Sequence, residues 1–259
     1  MFNKILLVYS EKLTQKHLEV VEEIKKIFHN EGKRVCVVKA TDLQKEFFDN
    51  IDLVITAGGD GAFIRASHYI KDIPILGINS EQETSEGALL SIKDNELDAL
   101  KEILNGKHEI QEIPRISIKK NNELLDELAV NEVYIGSKNQ FHTSCYIIEH
   151  NGNKEEHKSS GVLIATGTGS SAWYKSAGGV PFQNNKKLRF LVREPFVSRV
   201  FSPGILNGEI GIGEKICFEA KRHEGGVIAI DSNKTYDFNV PDKIEISISD
   251  KPLRVIVRK

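Results

Sequence analysis

The chain is poor in cysteine. Three stand in 259 residues, far apart at Cys36, Cys145 and Cys217. An odd, scattered set excludes a disulfide framework and a zinc site built on paired cysteines, and it points to a reducing compartment, the cytoplasm. No apolar run approaches the ~20 residues that a membrane-spanning helix needs. Neither sign of charge is in excess: 35 Lys and Arg stand against 37 Asp and Glu, a formal net charge of −2. That balance argues against nucleic acid or an anionic membrane as the main partner. Met1-Phe2-Asn3 runs straight into Ile5-Leu6-Leu7-Val8, so neither a charged-then-apolar signal nor an Arg-rich transit segment is expected. Internal repeats and low-complexity linkers are lacking as well. What remains is an ordinary globular composition, 40% hydrophobic and 28% charged, with room for one large domain or two modest ones.

The first hundred residues alternate two textures. Lys4 to Tyr9 reads as a buried strand, and Arg34 to Lys39, Ile51 to Thr56 and Ile73 to Asn79 read as further strands. Leu18, Val21, Ile24 and Phe28 recur at three to four residues, which predicts a helix over 14–30 with Gly32 at its C-terminal cap. Leu97, Leu100, Ile103 and Leu104 mark another helical face, with Asp94 as N-cap and Gly106 as stop. Such alternation predicts a mostly parallel sheet with helices on both faces. Ligands of such sheets sit outside the carboxyl ends of the strands. From His108 onward the runs are short and alternating. They include Ile116-Ser117-Ile118, Leu128-Ala129-Val130, Val133-Tyr134-Ile135, Cys145 to Ile148, Val162 to Ile164, Ile216 to Phe218, Val227 to Ile230, Ile244 to Ile248 and Leu253 to Val257, broken by turns such as Asn151-Gly152-Asn153. These predict an antiparallel sandwich. The expected organisation is an α/β domain with a mostly parallel sheet over 1–105 and an all-β sandwich over 106–259.

Three stretches carry chemistry. The first is Gly58-Gly59-Asp60-Gly61, where the run Ile51 to Thr56 stops in glycines and Ala62 to Ala66 opens a helical pattern. Glycine lets the main chain approach a phosphate, and amides at the helix start then point at it. A carboxylate there would repel phosphate, so Asp60 makes sense as an acceptor of a hydroxyl proton or as a holder of a metal ion that phosphates share. Alone, the stretch is equally compatible with an ordinary tight turn. The second is Asn131-Glu132, set between apolar runs. An adjacent amide and carboxylate can read an adenine edge and a ribose, or share a metal; the competing reading is an exposed turn or bulge. The third is Thr166-Gly167-Thr168-Gly169-Ser170-Ser171-Ala172-Trp173, followed by Ser176-Ala177-Gly178-Gly179. Its hydroxyls and uncharged backbone suit sugars and phosphates, and the single Trp with a Gly-Gly pair behind it argues against a floppy linker.

Together, in this order, the three stretches resemble the motif set of the NAD kinases, over nearly the whole chain. The mitochondrial-type branch is the nearer match. Ile78-Asn79-Ser80 with Ser85-Glu86-Gly87, Lys158-Ser159-Ser160-Gly161, Arg193-Glu194-Pro195 with Arg199-Val200-Phe201, and the turn at Asp231 are similar to stretches of that branch. The resemblance implies an α/β domain joined to a β-sandwich. It implies phosphoryl transfer from ATP, or polyphosphate, to the 2′-hydroxyl of the adenosine ribose of NAD. It also implies Mg²⁺ or another divalent cation and a homodimer or homotetramer. By this resemblance Asp60 matches the general base and Asn131 and Glu132 match dinucleotide contacts. Gly58, Gly59, Gly61, Thr168, Ser171, Ala172 and Trp173 fall in the nucleotide site; no residue is assigned to a metal.

The residues agree with that chemistry. No G-x-x-x-x-G-K-[ST] stretch occurs, so no P-loop lysine neutralises the transferred group, and positioning with Mg²⁺ must do so. The sequence departs from the family at Ala62, where Thr is usual, and over 88–91, which lacks the usual His and Phe. Two alternatives are a lipid kinase sharing the glycine turn and a dinucleotide-binding regulator without catalysis. Asn131-Glu132 and the Thr166 to Trp173 loop argue against the first, and Asp60 against the second.

Overall fold

Runs of apolar residues become strands where both faces of a sheet are to be covered. The computed structural model describes residues 2–12, 14–139 and 141–259. It divides into two units, Met1–Ile113 with Leu253–Lys259, and Pro114–Pro252.

In the first unit the strands lie in the order Arg34–Lys39, Lys4–Tyr9, Leu53–Gly58, Ile75–Asn79, Leu253–Arg258 and His108–Ile113, with Ile92–Lys93 paired to Ile75–Asn79. All neighbours are parallel except Leu253–Arg258 with His108–Ile113. Leu53–Gly58 is central and buried throughout. One face of the sheet, through Ile5, Leu7, Ile55 and Leu76, packs on helix Gln15–Asn30 and helix Asp98–Leu104. Val20, Val21, Ile24, Ile27 and Phe28 supply the first helix's apolar stripe, each burial contributing about 1.5–3 kcal/mol. Helix Asp60–Ser67 covers the other face, with Phe63 against Gly77. Thr14 caps the first helix by accepting from His17 N at 3.2 Å. Gly32, at φ +63°, ends it. Asp94 is not the cap expected of the later helix. It opens a 3₁₀ turn, Asp94–Glu96, and pairs with Lys16 at 2.6 Å.

The second unit is the expected sandwich of antiparallel sheets. One runs Asn153–Ser159, Ser144–His150, Lys215–Ala220, Lys243–Ile248, Ile116–Lys120, Glu123–Leu124. The other runs Asn207–Gly211, Lys187–Arg193, Gly161–Ala165, Glu132–Ser137, Gly226–Ile230, Lys234–Asp237. Ile118, Tyr146, Phe218 and Ile246 from the first meet Ile135, Ile164, Phe190 and Ile228 from the second in one core. Leu128 to Val130 forms no strand; Ala129 makes a single bridge to Ile116.

The division between units falls at Ile113, beyond the boundary expected at 105/106. The texture change at His108 marks a strand, but that strand and Leu253–Arg258 pair with each other in the first sheet. Alternation shows that a run is half-buried and does not show which sheet receives it.

Candidate active site

In the first unit the glycine turn lies where parallel-sheet ligands bind, at the carboxyl end of Leu53–Gly58. Gly58 and Gly59 are required by packing. A Cβ on Gly58 would fall 2.8 Å from Ser10 Cβ, and one on Gly59 would fall 2.7 Å from Ser85 Oγ. Gly61 is different. It is exposed, and a Cβ there would meet nothing within 4 Å. Yet it sits in helix Asp60–Ser67, where glycine costs about 0.5–1 kcal/mol relative to alanine. Packing within the chain gives no reason for a glycine there.

Asp60 is half-buried and its carboxylate is held. Oδ2 accepts from Ala88 N at 3.1 Å and Oδ1 from Leu89 N at 3.0 Å, so 88–89 wraps over the turn. Each oxygen retains acceptor capacity for a second donor. The loop after Asn79 is built by polar contacts. Asn79 Oδ1 accepts from Glu81 N at 3.1 Å, and Asn79 Nδ2 donates to Ser85 O at 3.3 Å. Buried Glu81 accepts from Ser10 Oγ and pairs with Lys12 at 3.0 Å. Buried His17 bonds Ser80 Oγ at 2.7 Å. Ser10 and Glu81 escaped sequence reasoning, and 88–91 was noticed only as a departure from the family, because backbone amides carry no residue-type signature. Ser85 lay in a noticed stretch but had no role.

In the second unit the structure brings Asn131 and Glu132 onto the Thr166 loop. Glu132 opens strand Glu132–Ser137 opposite Ala165, in register, so the pair is neither exposed turn nor bulge. Thr166 Oγ1 donates to Val130 O at 2.6 Å, and Thr166 N to Asn131 O at 2.9 Å. Ser170 Oγ bonds Gly167 O and Phe182 O, at 2.7 and 3.0 Å. Gly169 is buried, and a Cβ there would fall 2.1 Å from Asn131 O. The loop is therefore rigidly seated, with half-buried Thr168 and exposed Ser171 and Ala172 on its accessible side. Trp173 packs more than expected of a pure ligand contact. It lies 5.3 Å from the Tyr134 ring and 5.5 Å from the Arg193 guanidinium. The Gly178-Gly179 pair closes the short helix Trp173–Ser176: Gly179 N donates to Tyr174 O at 2.9 Å, and a Cβ on Gly179 would strike Tyr174.

Asp231 was noticed only as part of a similar turn. Its carboxylate accepts from Val130 N, Asn131 N and Glu132 N at 2.8, 2.8 and 3.0 Å. Glu132 is 5% exposed, and its Oε2 has no hydrogen-bond partner. Burial first, and the charge of Asp231 second, push the Glu132 carboxyl up from 4.5 to about 8. Between these values the native state keeps a proton that the unfolded chain has lost. This residue's contribution to stability is thus greatest below pH 4.5, falls as pH rises to about 8, and is level above. Glu132→Gln imitates the protonated acid. It is expected to flatten the stability profile and to be more stable than wild type at high pH, by at most about 5 kcal/mol. Urea unfolding at about pH 5.5 and about pH 8.5 checks this; equal pH dependence in the two proteins contradicts it.

Residues 3–105 match the family model described as the ATP-NAD kinase N-terminal domain. The chain is 28% identical to a probable NADH kinase of Oryza sativa subsp. japonica, across 98% of this chain and 85% of that one. It is 26% identical to the human protein named NAD kinase 2, mitochondrial, across 89% and 71%. Its fold is that of an NAD kinase from Archaeoglobus fulgidus solved in complex with ATP, with a TM-score of 0.76, 24% identity, and 99% and 93% of the two chains covered. The order of the three motifs, the sheets that carry them and these likenesses agree: the chain is similar to NAD kinases, and its residues 3–105 match the model of their N-terminal domain.

Proposed function

We propose that this protein transfers a phosphoryl group from ATP, or from polyphosphate, to the 2′-hydroxyl of the adenosine ribose of NAD, making NADP. The observation that carries the reading is the turn at the end of Leu53–Gly58, with an unexplained open Gly61 beside a carboxylate oriented by two amides. In the reaction the ribose oxygen forms its bond to phosphorus as the donor's bridging P–O bond breaks. The ribose proton passes to Asp60, an acceptor without a competing proton when ionised. Asn131, Glu132, Thr168, Ser171 and Ala172 supply amide, carboxyl, hydroxyl and backbone contacts for the nucleotide.

A divalent cation supplies charge neutralisation at the phosphates when bound. The chain offers no ready site for it. Among the described residues no three His, Cys, Asp or Glu side chains converge. The cation would be carried chiefly by the phosphates. Ala62, the support for a non-catalytic regulator, is buried against Gly58 and serves packing. Among the described residues no helix is long and apolar enough to cross a membrane. A cytoplasmic location and a homodimer or homotetramer belong to the same proposal. The exposed Phe196, Val197 and Val200 offer apolar surface for self-association.

Purified protein with NAD⁺, ATP and Mg²⁺ is expected to form NADP⁺, read by an NADP⁺-specific dehydrogenase. Parallel reactions with NADH and with polyphosphate define acceptor and donor. No phosphorylated product in any combination overturns the reading.

A further inference from the structure

The Asn131-Glu132 segment is held by a residue one hundred positions away. Asp231 follows strand Gly226–Ile230 in a left-handed conformation, φ +48°, and Ser232 repeats it at +53°. Two successive non-glycine residues with positive φ are unfavourable unless surrounding contacts hold them. The contacts include three amides, with Oδ2 on Val130 N and Oδ1 shared by Asn131 N and Glu132 N. In return, Asp231 N donates to Glu132 O at 3.0 Å. The same carboxylate lies beside the buried Glu132 carboxyl, whose Oε2 is unpartnered.

We propose that Asp231 is a positioning residue for nucleotide binding: it fixes the backbone at Asn131 and Glu132, and its carboxylate, beside the buried and unpartnered Glu132 carboxyl, helps present Glu132 as a hydrogen-bond donor to a nucleotide hydroxyl. This rests on the reading of Asn131 and Glu132 as nucleotide contacts. A neutral carboxyl both donates and accepts, whereas an ionised one only accepts and would add a second negative charge where a pyrophosphate-bearing ligand must bind. Residues 128–130, Gly161–Ala165, 166–172 and Gly226–Ile230 contain no titratable side chain. Lys234, on the next strand, pairs with Glu127 at 3.6 Å.

The test separates the clamp from the charge. Asp231→Asn can keep the Oδ1 bonds to Asn131 and Glu132 while removing the charge; Asp231→Ala removes both. KM for NAD⁺ is measured in the complete reaction from about pH 6 to about pH 9.5. Wild type is expected to show a rise in KM toward alkaline pH. Asp231→Asn moves that rise to lower pH, because one of the two influences that favour the protonated carboxyl is gone. Asp231→Ala raises KM at least about tenfold at every pH, with a smaller change in kcat. Glu132→Gln loses the rise altogether, and gives a second check should the Asp231 variants fail to fold. A rise at the wild-type pH in Asp231→Asn, or one that persists in Glu132→Gln, overturns the proposal. Unchanged KM in Glu132→Ala and Asn131→Ala is a different result: it removes the segment from the nucleotide site and the underlying reading with it.

Discussion

Asp60→Asn is expected to lower kcat by at least ~100-fold while leaving the Kd for NAD⁺ within a few-fold. A ribose hydroxyl is almost wholly un-ionised near neutral pH and attacks poorly. A carboxylate within hydrogen-bond reach takes the proton as the new bond forms, an effect of about 10²–10⁴-fold. The carboxamide has the same size and cannot take it. The structure adds a cost that the sequence alone conceals. Asn has one acceptor oxygen where Asp60 uses two, for Ala88 N and Leu89 N. One of those bonds is lost, and the variant should be about 1–2 kcal/mol less stable. The two effects are read separately, kcat from initial rates and stability from urea unfolding. Recovery of rate in excess Mg²⁺ would assign Asp60 to holding a cation with the phosphates. A near-normal kcat with only the stability loss would reduce it to an anchor for 88–89.

Gly169→Val is expected to damage both binding and folding. A loop outside the core would tolerate a side chain, and the residue types of 166–171 suggest no more than that. In the structure Gly169 lies on the backbone of Asn131, with its virtual Cβ 2.1 Å from the carbonyl oxygen and 2.4 Å from the carbonyl carbon. No rotamer relieves a clash with main chain. The loop must lift, straining the Thr166 bonds to Val130 and Asn131. Overpacking of this kind costs about 1–3 kcal/mol. KM for NAD⁺ should rise at least about tenfold as the two motifs separate. Gly61→Ala is the informative contrast. Its methyl meets no protein atom, so stability should hold or improve by up to about 1 kcal/mol, while KM rises where a ligand needs the space. If Gly169→Val kept wild-type stability and both KM values, the loop would not belong to the site. If Gly61→Ala kept wild-type KM, the glycine would have no ligand to serve.

These contrasts show what the residue pattern reveals. Lys4–Tyr9 and Arg34–Lys39 emerged with their observed bounds because an uninterrupted apolar run signals a strand; Lys4–Tyr9 is buried, whereas Arg34–Lys39 lies at the sheet edge with only Val38 buried. The helix over 14–30 was off by one residue, since Thr14 serves as cap. The glycine turn was legible because strand, glycines and helix follow one another in sequence, and that order alone builds the turn. Partnership across long separations was not legible. Nothing local to Leu253–Arg258 distinguishes a sandwich strand from one that joins Ile75–Asn79. Nothing local to Asp231 announces three amides one hundred residues earlier. Ala88 and Leu89 act through N–H groups that every residue but proline possesses.

The return of Leu253–Arg258 to the first sheet sets an order of events during synthesis. Most of the first unit is translated before any residue of the sandwich, including the glycine turn. Its sheet stays unfinished until the last strand has left the ribosome, for only then can His108–Ile113 and the edge at Ile75 find the neighbour that joins them. Until that moment the nascent chain presents an unpaired parallel edge, a surface that invites wrong pairing. Closure by a strand about 140 residues later is a contact of high sequence separation and slow to form. The Asp60 turn can take shape early, while the sheet beneath it is completed last.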